Sequence, residues 1–355
     1  MHRPLSVAAV VLGFALVAGC STGSTDDKAQ DDSSAIQGSH AEEGAFPVTV
    51  KHRFGETEIE SEPQRVVTLG SADQDNVLAL GVVPVAVPKI TWGPNENNST
   101  DWFDEALAEL DGPAPAQLDT SDAIPVDEVA KLEPDLILAS NSAMTKQEYD
   151  QLSKIAPVVA PPGADWLTSW EDSLEQAGLA LGRPTKAAEV EKSTEALIDG
   201  VEEENPEVEQ TDFLFTYFDP SDLGTVGVYS EEDPRVAILE EMGFEVPDQV
   251  ERLVPEGEFY GSVSAERANT LDSDVLVTYL DSEKQLQQVK DNALLGRIPA
   301  VAADKVVALP ADGVGVAVTS PTPLSIPVIV DEVVPQIVEA SKGSPTSSAS
   351  QSATR

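Results

Sequence analysis

The feature that most limits what this chain can fold into is one long helical stripe in its middle, set between two stretches that read as strands alternating with helices. From Pro184 to Glu204, apolar or small residues recur at Ala187, Val190, Thr194, Leu197, Ile198 and Val201, which lie along one face of a single helix. Pro184 suits a first helical turn, and Asn205-Pro206 ends the segment. At ~1.5 Å per residue such a helix spans about 30 Å, the width of a small domain. It is either a stiff strut joining two lobes or a surface helix of the first lobe.

The stretches on either side share a rhythm. In residues 45–183, Val48–Val50 and Glu58–Glu60 flank Phe54-Gly55 as a hairpin. Near-continuous apolar strands follow at Arg65–Leu69, Val85–Val87, Asp135–Ala139 and Val158–Val159. Helices are expected at Asp75–Leu80, Val126–Leu132 and Lys146–Ile155. In residues 206–341 strands are expected at Phe213–Tyr217, Asp274–Thr278 and Val306–Leu309. The helices there are Arg235–Met242, Ala265–Thr270 and a closing Ile326–Ala340. The pattern predicts an α/β protein of two Rossmann-like lobes, each with a parallel sheet, joined by the helix at 184–205 and enclosing a cleft.

The N-terminus carries an address. Met1–Arg3 precede an apolar run from Leu5 to Val17, too short to cross ~30 Å of hydrocarbon, so residues 1–19 read as a signal peptide. Leu16-Val-Ala-Gly-Cys20 resembles the bacterial lipobox, which implies cleavage before Cys20 and lipidation of its thiol. Residues 20–44 are polar and acidic and read as a disordered tether; residues 342–355 read as a frayed Ser/Thr-rich tail. The expected location is the outer face of the cytoplasmic membrane, touched through the lipid anchor only.

Composition excludes several functions. Sixty-three acidic against 21 basic residues give a formal charge of −42, which argues against nucleic acid. Cys20 is the sole cysteine, so no internal disulfide forms and no Cys-based zinc site is available. Of three histidines only His52 falls in the folded body, and the motifs of serine hydrolases, zinc peptidases and nucleotide-binding loops are missing. The chain reads as a non-enzyme that needs no cofactor and takes no metal directly from protein ligands. A secreted α/β hydrolase built on His52 and a plain adhesion scaffold are the competing classes.

The order of several short motifs resembles the solute-binding lipoproteins of ABC importers for iron–siderophores and cobalamin. They are Pro63-Gln-Arg-Val-Val-Thr-Leu69 with Leu80-Gly-Val-Val-Pro84; Val126-Asp-Glu-Val-Ala-Lys-Leu-Glu-Pro-Asp-Leu-Ile-Leu138; Leu181-Gly182; and Val263-Ser-Ala-Glu-Arg267 before Asp274-Val-Leu276. The resemblance covers roughly Phe46 to Ala340. It implies two lobes bridged by one helix, a monomer, and a partner permease with its ATPase. It also implies one docking carboxylate per lobe, Asp127 (or its neighbour Glu128) and Glu266.

Ligands of open α/β sheets sit beyond the carboxyl ends of the strands. The loops expected there contain Ser71, Trp92, Asn141 and Trp166 in the first lobe, and Tyr217, Tyr229, Arg235, Tyr260, Ser262 and Tyr279 in the second. Phe259-Tyr-Gly-Ser262 is similar to a Phe-Trp-Gly-Ser segment of hydroxamate-siderophore binders. Aromatic faces suit the apolar arms of a chelator, and hydroxyls suit its oxygens. The loops hold few cations, Arg235 and Arg252, whereas a trianionic ferric catecholate needs several. The expected ligand is therefore an Fe(III)-siderophore of hydroxamate or mixed type; cobalamin, haem and free metal are the alternatives. If the lipobox is read correctly, mass spectrometry of the mature protein finds an acylated Cys20 at its N-terminus, and Cys20→Ser sheds the protein from the membrane.

Overall fold

The computed structural model describes residues 40–343. The expected signal peptide, the expected lipidation site Cys20, most of the expected tether and nearly all of the expected tail lie outside the described residues.

The first lobe opens with a hairpin of β1 (Val48–His52) and β2 (Gly55–Ile59), which turns at Arg53-Phe54. Its main sheet holds β3 (Val66–Thr68), β4 (Ala86–Pro88), β5 (Ala116–Leu118), β6 (Leu136–Leu138) and β7 (Val158–Val159). All pairings are parallel and the order is β5-β4-β3-β6-β7. The chain therefore starts at the centre, winds outward one way, and returns to wind the other way. Its switch point lies between β3 and β6.

The second lobe repeats this plan with a change. Its strands are β8 (Phe213–Asp219), β9 (Asp222–Tyr229), β10 (Tyr260–Ser264), β11 (Val275–Tyr279) and β12 (Val306–Leu309), in the order β10-β9-β8-β11-β12. β8, β11 and β12 are parallel, but β9 runs antiparallel to both β8 and β10. The expectation of a wholly parallel second sheet is therefore corrected. Pro220 and Ser221 turn the chain directly back after β8, and Gly224 and Gly227 in β9 mask the apolar alternation by which a strand is recognised. Helices Asp101–Glu109 and Trp170–Ala180 also went unread in the sequence. The closing segment is not one regular helix: a π-helical turn at Ile329–Val333 separates Ile326–Val328 from Val334–Ser341, each with a proline at its start.

Between the lobes runs the helix Pro184–Glu204, with Ala187, Thr194, Ile198 and Val201 buried. The largest apolar cluster is continuous through it, from Val66, Leu136 and Leu174 of the first lobe to Phe213, Leu239 and Ile337 of the second. Two polar contacts cross this joint: Trp170 Nε1 donates to Glu241 across 3.0 Å and Thr322 Oγ1 donates to Asp75 across 2.9 Å; at the start of the bridging helix, buried Arg183 donates from Nη1 to the Leu80 carbonyl of its own lobe across 2.6 Å. The expected tether also ends sooner than read. Glu42 accepts from the Thr185 and Lys186 amides and the Thr185 hydroxyl, so its carboxylate caps the bridging helix, whose N-cap residue Arg183 makes no capping hydrogen bond.

The bridging helix lies close against Trp170–Ala180 because Gly178 has no side chain: a Cβ there would stand 2.5 Å from the Ala187 Cβ. Gly178→Val should lower unfolding free energy by about 1–3 kcal/mol through overpacking, read by urea denaturation. A variant as stable as the wild type would show that the two helices separate freely.

Candidate functional site

Strand alternation builds the floor of the cleft. Along β8, Phe213, Phe215 and Tyr217 point to one face; along β11, Val275, Val277 and Tyr279 do the same. The first two of each set are sealed in the core; at the carboxyl end Tyr217 emerges, while Tyr279 stays buried at the core's edge against the cavity. Tyr217 and Tyr279 thus flank the second lobe's switch point between β8 and β11. Gly227 pairs with Tyr217, and a Cβ on it would stand 3.3 Å from the Tyr217 Cβ, so glycine leaves the tyrosine room. Tyr279 meets Phe215 at 5.3 Å between ring centroids, and Phe215 meets Tyr229 edge-on at 5.6 Å. Burial pushes the Tyr279 phenol up to about 12, so it stays a neutral donor bonded to Thr319 Oγ1 at 2.8 Å.

Arg235 completes this floor. Its guanidinium carbon lies 3.9 Å from the centre of the Tyr229 ring, and its Nε donates to Asp233 Oδ1 across 2.6 Å. Asp233 also accepts from the Arg235 amide and caps the helix Pro234–Glu241, so one buried carboxylate sets both the helix start and the arginine. A cavity of about 260 Å³ opens over these groups. Trp92, Tyr217, Tyr229, Arg235 and Tyr279 line it together with Asp281, Gln285 and Thr319. Arg235 is its one basic side chain.

The first lobe's switch point presents a polar lip. Ser71 after β3 and Asn141 after β6 meet, the Ser71 amide donating to the Asn141 carbonyl at 3.0 Å. Asp73 holds this lip from beneath, accepting from the amides of Gly70 at 3.0 Å and Ser140 at 3.1 Å. The Asn141 Oδ1 is buried without a partner. Burial lifts Asp73 to about 6, against the pull of its Ser140 and Gly70 donors. Asp75 stands at about 6 for the same reason, although Trp102 and Thr322 donate to it.

Of the side chains expected in the cleft, Trp92, Tyr217, Tyr229, Arg235 and Tyr279 come together. Ser71 and Asn141 meet each other at the first lobe's switch point and are outside that cavity's lining. Trp166, half-exposed with φ +63°, sits on the loop after β7 and is likewise outside it. Tyr260 and Ser262 lie further along the tyrosine face: Ser262 pairs with Gly227, and the Tyr260 ring is 6.5 Å from Tyr229. The placement in loops is corrected for Tyr217, Tyr229, Tyr260, Ser262 and Tyr279, all of which stand on strands. Arg252 is exposed on the helix Gln249–Leu253 and takes no part in the cavity. Asp127 and Glu266 are exposed in the first turns of Val126–Lys131 and of the 3₁₀ helix Ala265–Thr270. Glu266 follows β10, which runs the same way as β8, and Asp127 opens the helix after β5, so both carboxylates stand toward the carboxyl ends of their sheets. Sequence reading missed Asp73 and Asp75, since nothing in a helix-start Asp-Gln-Asp marks it as buried.

The two switch points facing one cleft define a ligand-binding protein of the bilobal, helix-bridged type. Residues 66–312 match the family described as periplasmic binding protein, and the chain belongs to that family. The crystal structure of PiaA from Streptococcus pneumoniae TIGR4 in complex with ferrichrome superposes with a TM-score of 0.78 at 34% identity, covering 84% of this chain and 99% of that one. The probable siderophore-binding lipoprotein YfiY of Bacillus subtilis is 27% identical over 71% of this chain and 77% of its own length. The iron(3+)-hydroxamate-binding protein YxeB of the same organism is 25% identical over 72% of this chain and 71% of its own.

The raised carboxyls predict an unusual pH response. A carboxylic acid near 4 when unfolded but about 6 when folded binds more protons in the native state. Its stabilising contribution is complete below pH ~4 and is lost as pH rises through 6. Glu241, lifted to about 7 by burial and by nearby Glu171, Glu240 and Glu195, extends the loss toward neutrality. Tm should therefore rise as pH falls from about 8 to 5, and Asp75→Asn, which keeps an acceptor for Trp102 and Thr322, should flatten the slope. A Tm that falls over that interval contradicts the assignment.

Proposed function

We propose that this protein captures a ferric siderophore of the hydroxamate or mixed type and delivers it to a membrane permease whose partner ATPase drives import. The observation that carries the reading is the composition of the cavity: an aromatic face of Tyr217, Tyr229 and Tyr279 with a single guanidinium, Arg235, whose charge Asp233 already engages. Such a floor offers rings for apolar chelator arms and one oriented donor for an oxygen at the metal's periphery. A trianionic catecholate complex would be left poorly compensated in it, with Asp281 also on the wall. PiaA and YxeB, whose names and contents specify ferrichrome and iron(3+)-hydroxamate, support the same class.

The work done is binding, not catalysis. His52 is buried in the opening hairpin with its Nε2 3.0 Å from Thr57 Oγ1, remote from any nucleophile in the cleft. The iron is cargo held by its chelator, so no protein cofactor or metal ligand is required. The lobes close modestly, because the core shared through the bridging helix resists a wide hinge. Asp127 and Glu266, toward the carboxyl ends of their sheets, dock on cationic side chains of the permease. Cys20 holds the monomer by a lipid to the outer face of the cytoplasmic membrane, consistent with the relative named a lipoprotein.

Tryptophan-quenching titrations against ferrichrome, a ferric tris-catecholate, haem and cobalamin test the ligand class. Ferrichrome should bind tightly, and Arg235→Ala and Tyr217→Ala should each weaken it at least about tenfold, a loss of roughly 1.4 kcal/mol or more. Tight binding of the catecholate with no binding of ferrichrome would overturn the reading. Glu266→Arg should impair uptake by cells while leaving ligand affinity unchanged; an equal loss of affinity would place Glu266 in the ligand site instead.

A further inference from the structure

Trp92 spans the cleft in a way that lining a pocket does not require. It stands on the loop after β4 of the first lobe, yet its ring meets Tyr279 of the second edge-on, with centroids 5.0 Å apart. The indole also lies on the backbone of Gly315, where a Cβ would stand 3.2 Å from Trp92 Cη2. The next residue, Gly93, adopts φ +65° and lies so close to the second lobe that a Cβ on it would fall 2.8 Å from the Ala311 carbonyl and from Val316 Cγ2. Missing side chains on both partners let the loop of one lobe seat on the other.

This contact is closed but lightly held. Trp92 remains 41% exposed. Its indole N–H has no hydrogen-bond partner among the described residues, whereas Trp102 and Trp170 donate to Asp75 and Glu241. The cavity beneath it measures about 260 Å³. Because the indole already packs on Tyr279, a ligand that stacks on that ring competes with Trp92 for it.

We propose that Trp92 and the loop carrying it form a gate: in the ligand-free protein the indole occupies the aromatic floor of the cleft, and its departure limits the rate of chelate entry. The proposal rests on the reading of this cleft as the chelate site. Its energetic logic is population shift. If the open form is the minor state, at or below roughly a tenth of molecules, apparent association is reduced by that fraction, and removing the indole restores it.

Stopped-flow fluorescence with ferrichrome tests the gate. Trp92→Ala should raise the association rate constant by about tenfold, with a smaller change in dissociation. An unchanged association rate with faster dissociation would overturn the gate and leave Trp92 a simple ligand contact. A second test does not depend on the variant's own affinity. In the chain carrying Cys20→Ser, paired Gly93→Cys and Val316→Cys substitutions should cross-link in the ligand-free protein, block ferrichrome binding, and release the block on reduction. Failure to cross-link, or a cross-linked protein that binds at the wild-type rate, would overturn the gate. Failure of the wild-type protein to bind any ferric chelate, with the cross-link formed, would instead overturn the ligand assignment.

Discussion

The apolar core shared across the bridging helix is the constraint on which the rest of the molecule depends. Two sheets of five strands each have their own switch point, and a switch point alone offers only half a site. The site exists because Ala187, Ile198 and Val201 fuse the two cores into one, so the half-sites face each other at fixed spacing. A flexible linker would leave the same side chains at uncorrelated positions, and the entropy of assembling them would be charged to each binding event. Close packing at Gly178 and Ala187 removes most of that cost in advance.

The two half-sites are built by different physics. The second lobe supplies an aromatic floor by carrying buried strand faces to the carboxyl end of the sheet, so Tyr217, exposed, and Tyr279, at the core's edge, inherit their orientation from Phe215 and Val277 beneath them. The first lobe supplies a lip of backbone amides gathered on a buried carboxylate, Asp73, with Ser71 and Asn141 above it. Rigid aromatic surface and oriented polar groups on opposite walls suit a ligand with apolar arms around a polar centre. The strong acidity of the chain serves a different end. It lies mainly on the surface, where like charges oppose association, and leaves the one guanidinium of the cavity as its distinguishing charge.

Much of this was legible in the sequence, and the reasons are specific. The bridging helix announced itself through a sustained helical period between Pro184 and Asn205-Pro206. Four of the five parallel strands of the first lobe were visible as short apolar runs ended by turns; β5, Ala116–Leu118, was not, because its three residues make no apolar run. The antiparallel pair β9 and β10 was not, because glycines at 224, 227 and 261 interrupt its alternation and the chain crosses back after only Pro220 and Ser221. For that reason Tyr229 and Tyr260 were expected in loops, whereas both stand on strands, with Tyr229 lining the cavity. Buried carboxylates escaped altogether. Asp73 and Asp75 look like ordinary helix-start acids, and only tertiary burial makes them the supports of the lip and of the contact to Thr322. The seat of Trp92 on Gly315 is also a long-range fact, set by a loop and a helix more than two hundred residues apart in sequence.

The central claim is that the aromatic floor around Arg235, facing the lip around Ser71 and Asn141, receives a ferric hydroxamate. A crystal structure of the ferrichrome complex, with the iron located by its anomalous scattering, tests this most directly. The account predicts one iron in the cleft, within contact range of Tyr217, Tyr279 and Arg235, with Trp92 moved off Tyr279. Iron bound outside the cleft, or a cleft left empty at saturating ferrichrome, would contradict it.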